Sequence, residues 1–302
     1  MKITIIGAGN VGTSVAYALI LRELVDELIL IDINEDLLIA RDLELGQSIA
    51  ALNLKIKLTC STDYDESKNS DIVLFCAGLT RTIGQSREEL LQANTFILLE
   101  CAKKIKKFVN DPLFIILTNP VDFLLNTLYE NKIFNDKKII AMAGTLDNAR
   151  FKYELSKKLN QPSFYMDTKL IGFHNDSMIL LKSQSYYKNE KISNFLNSEE
   201  FENIENEVKI GGAKVIKHLK ISAYLAPAAA CVKMIEALRT REFLPMSIIL
   251  HGEFGINNKA FGVMARLSLQ GVVELMELKL DEEEEQKLNY SLKKHNYKKD
   301  KK

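Results

Sequence analysis

Short apolar runs alternate with helix-period segments over the first half of the chain. "KITIIG" (2–7), "ELILID" (27–32), "SDIVLFCAG" (70–78), "PLFIILTNP" (112–120) and "KKIIAMAG" (137–144) read as strands. Each is almost continuously apolar, the pattern of a strand covered on both faces. Between them, "VGTSVAYALILREL" (11–24) and "EDLLIARDLELGQSIA" (35–50) carry the spacing of amphipathic helices. Buried strands separated by helices predict an α/β domain with a doubly wound parallel sheet of Rossmann type.

The pattern changes near residue 145. "DNARFKYELSKKLN" (147–160) predicts a helix, and "SQSYYKNEKIS" (183–193) a strand and turn. A long polar helix is expected over 199–219, interrupted by Gly211-Gly212, and a second over "SAYLAPAAACVKMIEALR" (222–239). The final "DEEEEQKLNYSLKKHNYKKDKK" starts acidic and ends basic, which suits a helix macrodipole, with the last six or so residues fraying. These changes predict a dinucleotide-binding domain over 1–142 and an α+β substrate-binding and catalytic domain over 143–302.

Composition narrows the function classes. The chain has 302 residues, 47% hydrophobic, with a formal net charge of zero. A neutral chain offers no global field for nucleic acid or an acidic membrane surface, so neither is an expected partner. No apolar run is long enough to span a bilayer, and the start shows no basic leader or cleavage site, which predicts a cytoplasmic protein. Four cysteines without metal-ligand spacing are expected to be buried free thiols, and no metal site is predicted.

"GAGNVG" follows the first strand and opens the first helix. Gly7 suits the tight turn, Gly9 a close phosphate approach and Gly12 close helix–strand packing. Asn10 and Val11 complete the expected cofactor turn, where the helix start offers N–H groups to a pyrophosphate. Asp32 ends the second strand, where a carboxylate accepts the ribose hydroxyls and repels a 2′-phosphate. The combination predicts NAD rather than NADP. A glycine turn beside a solvated aspartate is the plainer alternative.

Three later segments hold polar residues at element ends. Asn119, in "LTNPVD", could bond a substrate oxygen or the nicotinamide amide, or merely turn the chain before Pro120. Asp147 and Arg150, in "TLDNARF", share one helix face, as an ordinary intrahelical pair also would. His174, in "IGFHNDSM", stands between an apolar segment and a polar turn. His218, His251 and His295 lie in a lysine-rich helix, near a glycine turn and in the tail. Histidine is the side chain suited to proton exchange near neutral pH, although a lone one is usually structural.

Taken together and in order, "GAGNVG", "AGLTRTIGQSREELL", "TNPVD", "LDNARF", "FHNDS" and "SAYLAPAAA" resemble the lactate/malate dehydrogenase family over nearly the whole chain. The resemblance implies that His174 exchanges the proton with the substrate oxygen and that Asp147 orients its imidazole. It implies that Arg150 grips the substrate carboxylate through paired hydrogen bonds. It also implies that Arg87 polarises the carbonyl and Asn119 orients the reacting oxygen. Ser222 would line the pocket, and Asn94 and Asn119 would join the cofactor site. It implies a homodimer or homotetramer acting on a small substrate.

The stretch "LTRTIGQSREEL" (79–90) sharpens the substrate. Ser86 and Glu89 form an S-x-x-E pattern that predicts a helix from Arg87. Malate-type members carry Arg at the third position after "AG", and lactate-type members Gln. Arg81 stands there, and a dicarboxylate such as oxaloacetate would use this second cation, which pyruvate would leave unpaired. The expectation is an NAD-dependent malate dehydrogenase of the tricarboxylic acid cycle. Alternatives are a lactate or other 2-hydroxyacid dehydrogenase, or an NAD-binding regulator retaining the fold. Thr82-Ile83 replace the usual Lys-Pro, and Asn175 replaces glycine in the usual His-Gly-Asp. Asn tolerates positive φ, so the turn at 175 is expected to survive.

Overall fold

The computed structural model describes residues 1–79 and 87–295, Arg87 by its backbone alone. The predicted strands form: β1 (Lys2–Ile6), β2 (Glu27–Ile31), β4 (Ile72–Phe75), β5 (Leu113–Ile116) and β6 (Ile139–Ala141). A further strand, β3 (Lys57–Ser61), was not legible, because "KLTCS" mixes charge, hydroxyls and few strong apolar residues at a sheet edge. The helices between are α1 (Asn10–Leu21), α2 (Glu35–Ala51), α3 (Arg87–Lys106) and α4 (Val121–Glu130). The start of α3 at Arg87 matches the S-x-x-E prediction.

The six strands run parallel in the order β3-β2-β1-β4-β5-β6. Strand order reverses between β1 and β4, and the chain segments leaving those two strands open a crevice at their carboxyl ends. Apolar clusters cover both faces: Ile3, Ile5, Leu28 and Leu30 on one, Phe75, Phe114 and Ile116 on the other. Such two-sided burial is why these strands read as continuous apolar runs.

The second half begins with α5 (Gly144–Leu159), followed by β7 (Met166–Asp167), β8 (Leu170–Ile171), β9 (Ile179–Leu180), β10 (Tyr186–Tyr187) and β11 (Glu190–Lys191). Then come α6 (Ser198–Leu219), α7 (Leu225–Thr240), β12 (Leu244–His251), β13 (Asn257–Ser268), β14 (Gly271–Leu275) and α8 (Glu282–Lys294). The long antiparallel β12–β14 were not foreseen, and they extend the same sheet beyond β6 through Ser247 opposite Ala141. The whole is α/β, a parallel sheet followed by a mixed α+β part.

The expected interruption at Gly211-Gly212 is absent: α6 runs unbroken through both. A Cβ at 211 would lie 3.3 Å from Arg150 Cδ, and one at 212 would lie 3.3 Å from Arg150 Nη2. The glycines make room for that guanidinium, and packing overrides their helix propensity cost of about 1 kcal/mol each. The second helix starts at Leu225, not Ser222. All four cysteines are free, but only Cys101 and Cys231 are buried, while Cys60 and Cys76 are half-buried. Cys76 is reached from the crevice that it helps to line. Among the described residues no helix is long and apolar enough to cross a membrane, and no side-chain cluster could hold a metal.

Candidate active site

The turn after β1 is built by close approach. Gly7 has φ +103°, and a Cβ there would lie 2.6 Å from the Ala77 nitrogen. A Cβ on Gly12 would lie 1.9 Å from the Gly7 carbonyl oxygen, so α1 can pack against this turn only through glycine. Gly9, the N-cap of α1, has open space where its Cβ would be and contributes no side-chain cap. Gly9 and Asn10 are exposed at that helix start, whose first backbone N–H groups have no intrahelical partners, which suits a pyrophosphate. Asp32 follows β2 and braces the turn, accepting from Ala8 N at 2.7 Å and Asn34 N at 3.1 Å. A carboxylate offers about four lone-pair sites, which leaves capacity for ribose hydroxyls. The residues fit a dinucleotide.

Beside this turn lies a cleft of about 270 Å³ lined by Val11, Cys76, Gly78, Asn119, His174 and Ser222, among others. It brings together segments from β1–α1, β4, β5–α4, the β8–β9 turn and the entry to α7. Asn119 and Ser222 are exposed at its wall. Asn94 is 1% exposed and binds backbone: its Oδ1 accepts from Leu79 N at 2.8 Å, and its Nδ2 donates to Asn119 O at 3.0 Å. It thus joins the segments after β4 and β5. Arg81, Thr82-Ile83 and Ser86 lie outside the described residues, as does the Arg87 side chain.

Asp147 is the hinge of the polar cluster. It sits in the first turn of α5, 1% exposed, where the helix dipole favours a carboxylate. Its Oδ2 lies 2.6 Å from His174 Nδ1, and its Oδ1 accepts from Arg150 Nη1 at 2.9 Å. Helical spacing places Asp147 and Arg150 on one face; the fold adds His174 to the same carboxylate. With Nδ1–H donating to Asp147, Nε2 remains for a ligand in the cleft. Burial pulls the His174 pKa down most strongly, but the Asp147 charge and hydrogen bond, with the Asp122 charge, outweigh it and hold the imidazole above its ordinary value.

Several supporting residues escaped the sequence reading. Asp122, at the start of α4, accepts from His174 N at 2.8 Å and from Ser247 Oγ at 2.5 Å. Burial raises the Asp122 pKa against those hydrogen bonds. Gly172 has φ +105°, and its N donates to Gly262 O at 2.9 Å, which pins the histidine turn to β13. The expected turn at Asn175 is present, closed by Met178 N donating to Asn175 O at 3.0 Å, but Asn175 is not among the residues with positive φ. Its side chain explains its presence instead: Oδ1 accepts from Ser177 N at 2.8 Å and from Ser177 Oγ at 2.6 Å. His295, in what reads as a tail from sequence, caps the end of α8 against this turn, and burial and the Lys294 charge hold its pKa below the ordinary value. The chain after it lies outside the described residues. Asp122 stands within "TNPVD", but nothing in its spacing announces a partner 52 residues away.

The comparisons agree across the chain. Residues 1–141 match the family model described as lactate/malate dehydrogenase, NAD binding domain, and residues 144–302 match the alpha/beta C-terminal domain of the same family. A protein of Campylobacter jejuni named probable malate dehydrogenase is 70% identical over 298 residues, covering 99% of each chain. The structure of the malate dehydrogenase from Aeropyrum pernix is similar with a TM-score of 0.91 at 32% identity, covering 97% of this chain and 95% of that one. A lactate dehydrogenase from Eimeria maxima, solved with NADH and oxamate, has a TM-score of 0.91 at 28% identity, covering 98% of this chain and 92% of that one.

Proposed function

Because the chain belongs to the lactate/malate dehydrogenase family, we propose that it is an NAD-dependent malate dehydrogenase that interconverts malate and oxaloacetate. When bound, the nicotinamide cofactor would supply the hydride in reduction, as NADH, and take it back in oxidation, as NAD+. His174 gives its Nε2 proton to the carbonyl oxygen as the hydroxyl forms, and takes it back in the reverse direction. Asp147 accepts from Nδ1–H, which fixes the tautomer and stabilises the imidazolium. Arg150 spends one N–H on Asp147, and its remaining donors grip the substrate carboxylate. Arg87 polarises the carbonyl, and Arg81 takes the second carboxylate. Asn119 positions the reacting oxygen and, with Asn94, the wall against the nicotinamide. Residues 1–142 hold the cofactor through Gly7, Gly9, Asn10, Val11, Gly12 and Asp32, and 143–302 supply the proton carrier and the first carboxylate clamp.

The observation that carries this reading is the single buried carboxylate shared by His174 and Arg150 beside the cleft. It couples a proton carrier to an anion clamp in one rigid unit. Likeness of fold does not select the substrate, since malate and lactate dehydrogenase structures match equally well. The choice of malate rests on Arg81 and on the 70% identical relative. Steady-state rates with NADH and either oxaloacetate or pyruvate test it. A higher kcat/KM for pyruvate would overturn the malate assignment in favour of a lactate-type enzyme. NADH binding without turnover of either would favour the regulator. Family membership also supports a cytoplasmic homodimer or homotetramer serving the tricarboxylic acid cycle; sedimentation velocity distinguishes the two assemblies.

A further inference from the structure

The last helix reaches the turn that carries His174. Its start is anchored by Ser183, which donates to the Glu284 carboxylate from N at 3.0 Å and from Oγ at 2.7 Å. Leu288 and Leu292 bury its middle. Near its end, Ser291 Oγ donates to Ser177 O at 3.1 Å. The His295 ring then lies 4.2 Å from the Phe173 ring, centroid to centroid. Phe173 is 3% exposed and meets Phe261 of β13 edge-on at 5.1 Å. It is therefore held between β13 and the end of α8.

His295 also bonds the other neighbour of His174. Its Nε2 lies 3.3 Å from Asn175 Nδ2 and 3.1 Å from Ser177 Oγ. With the proton on Nδ1, Nε2 accepts from the Asn175 amide. With the proton on Nε2, it donates to Ser177 Oγ. Either tautomer closes the same bracket. Asn175 is suited to its half, because Oδ1 is occupied by Ser177 while Nδ2 points to His295. Glycine, usual at this place in the family, has no side chain to join such a bracket. The departure at 175 and the histidine at 295 thus form one device.

We propose that His295, acting through Asn175, Ser177 and Phe173, is a positioning residue that aims the His174 imidazole at the reacting oxygen. The inference rests on the proton-carrying role proposed for His174. His174 lies between Phe173 and Asn175 in sequence, so holding both fixes its backbone from either side. Proton transfer tolerates little misplacement, whereas the cofactor turn after β1 is separate from this bracket. Loss of the bracket therefore acts on kcat rather than on NADH affinity.

The test uses the full chain with His295→Ala, Asn175→Gly, both together, and His295→Gln. The wild type is expected to reduce oxaloacetate, and His295→Ala to lower kcat about tenfold with NADH affinity unchanged. The primary isotope effect on kcat with 4-deuterated NADH should rise, because chemistry becomes more rate-limiting. Asn175→Gly should show the same signature, and the double variant should be no worse than either single one. His295→Gln should recover part of the rate, since its amide can place a donor or acceptor near the Nε2 position. A lower melting temperature with unchanged kcat and isotope effect would overturn the inference, as would additive losses in the double variant. A wild type without turnover would overturn the functional reading and this inference with it, so the wild-type rate separates the two failures.

Discussion

The glycine turn after β1 and the cluster around His174 are built in opposite ways. The turn is nearly local: Gly7, Gly9 and Gly12 occupy one short stretch, and Asp32 reaches back to Ala8 over 24 residues. The His174 cluster draws on α4, α5, the β8–β9 turn, β12 and α8. Its hydrogen bonds span 27 residues to Asp147, 52 to Asp122 and, from Asp122 onward, 125 to Ser247. In the turn, backbone sterics dictate the residues, so glycine is required wherever a Cβ would collide. In the cluster, carboxylates meet an imidazole and a guanidinium, and their meeting depends on the rest of the fold. Damage to the turn should therefore appear as lost cofactor affinity and stability, and damage to the cluster as lost chemistry.

The largest effect should come from the cluster. His174→Asn is expected to lower kcat for oxaloacetate reduction by about 10²- to 10⁴-fold, with NADH binding by fluorescence retained. A retained rate would remove His174 from the proton step. Asp147→Asn should cost on the order of 100-fold and also move the pH profile. In the proposed proton step His174 donates its proton in reduction, so kcat/KM is expected to be high below its pKa and to fall as pH rises through it. Asp147 holds that pKa up, so the variant should lose activity from a lower pH. A profile whose falling limb stays in place would contradict the coupling.

The turn breaks differently. Gly12→Val would force a Cβ toward the Gly7 carbonyl oxygen. It should cost about 1–3 kcal/mol in chemical denaturation and weaken NADH binding. Unchanged NADH affinity in a folded variant would dissociate this turn from the cofactor. Asp122→Asn should give the smallest change, lowering kcat about threefold to tenfold. It should shift the falling limb of the pH profile in the same direction as Asp147→Asn but less, because Asp122 touches the His174 backbone while Asp147 touches the ring. A larger shift than that of Asp147→Asn would reverse the assigned order of the two carboxylates.

Legibility followed the range of the interactions. The buried parallel strands were readable because burial on both faces writes apolar residues in succession. Lys57–Ser61 was not, since an edge strand with exposed and half-buried positions lacks that pattern. Gly211-Gly212 looked like a break because local propensity is read without the Arg150 side chain that packs against them. At Asn175 sequence alone offers only backbone tolerance, whereas the side-chain amide is engaged with Ser177 and His295. The substrate roles of Arg81 and Arg87 rest on the resemblance, and Arg81 with the Arg87 side chain lies outside the described residues.

By itself, the sequence determined the alternation of buried strands and helices, the glycine turn, the acidic end of β2 and the pairing of Asp147 with Arg150. Each follows from steric or periodic constraints acting within a few turns of chain. Only the tertiary structure decided that one carboxylate serves both His174 and Arg150, that Asp122 and Ser247 stand behind that histidine, and that α8 ends against its turn. Those contacts join segments far apart in the chain, and no local period or propensity records them. They exist because the sheet, extended by β12–β14, and the helices packed on it bring these polar groups to one place, where burial strengthens the interactions between them.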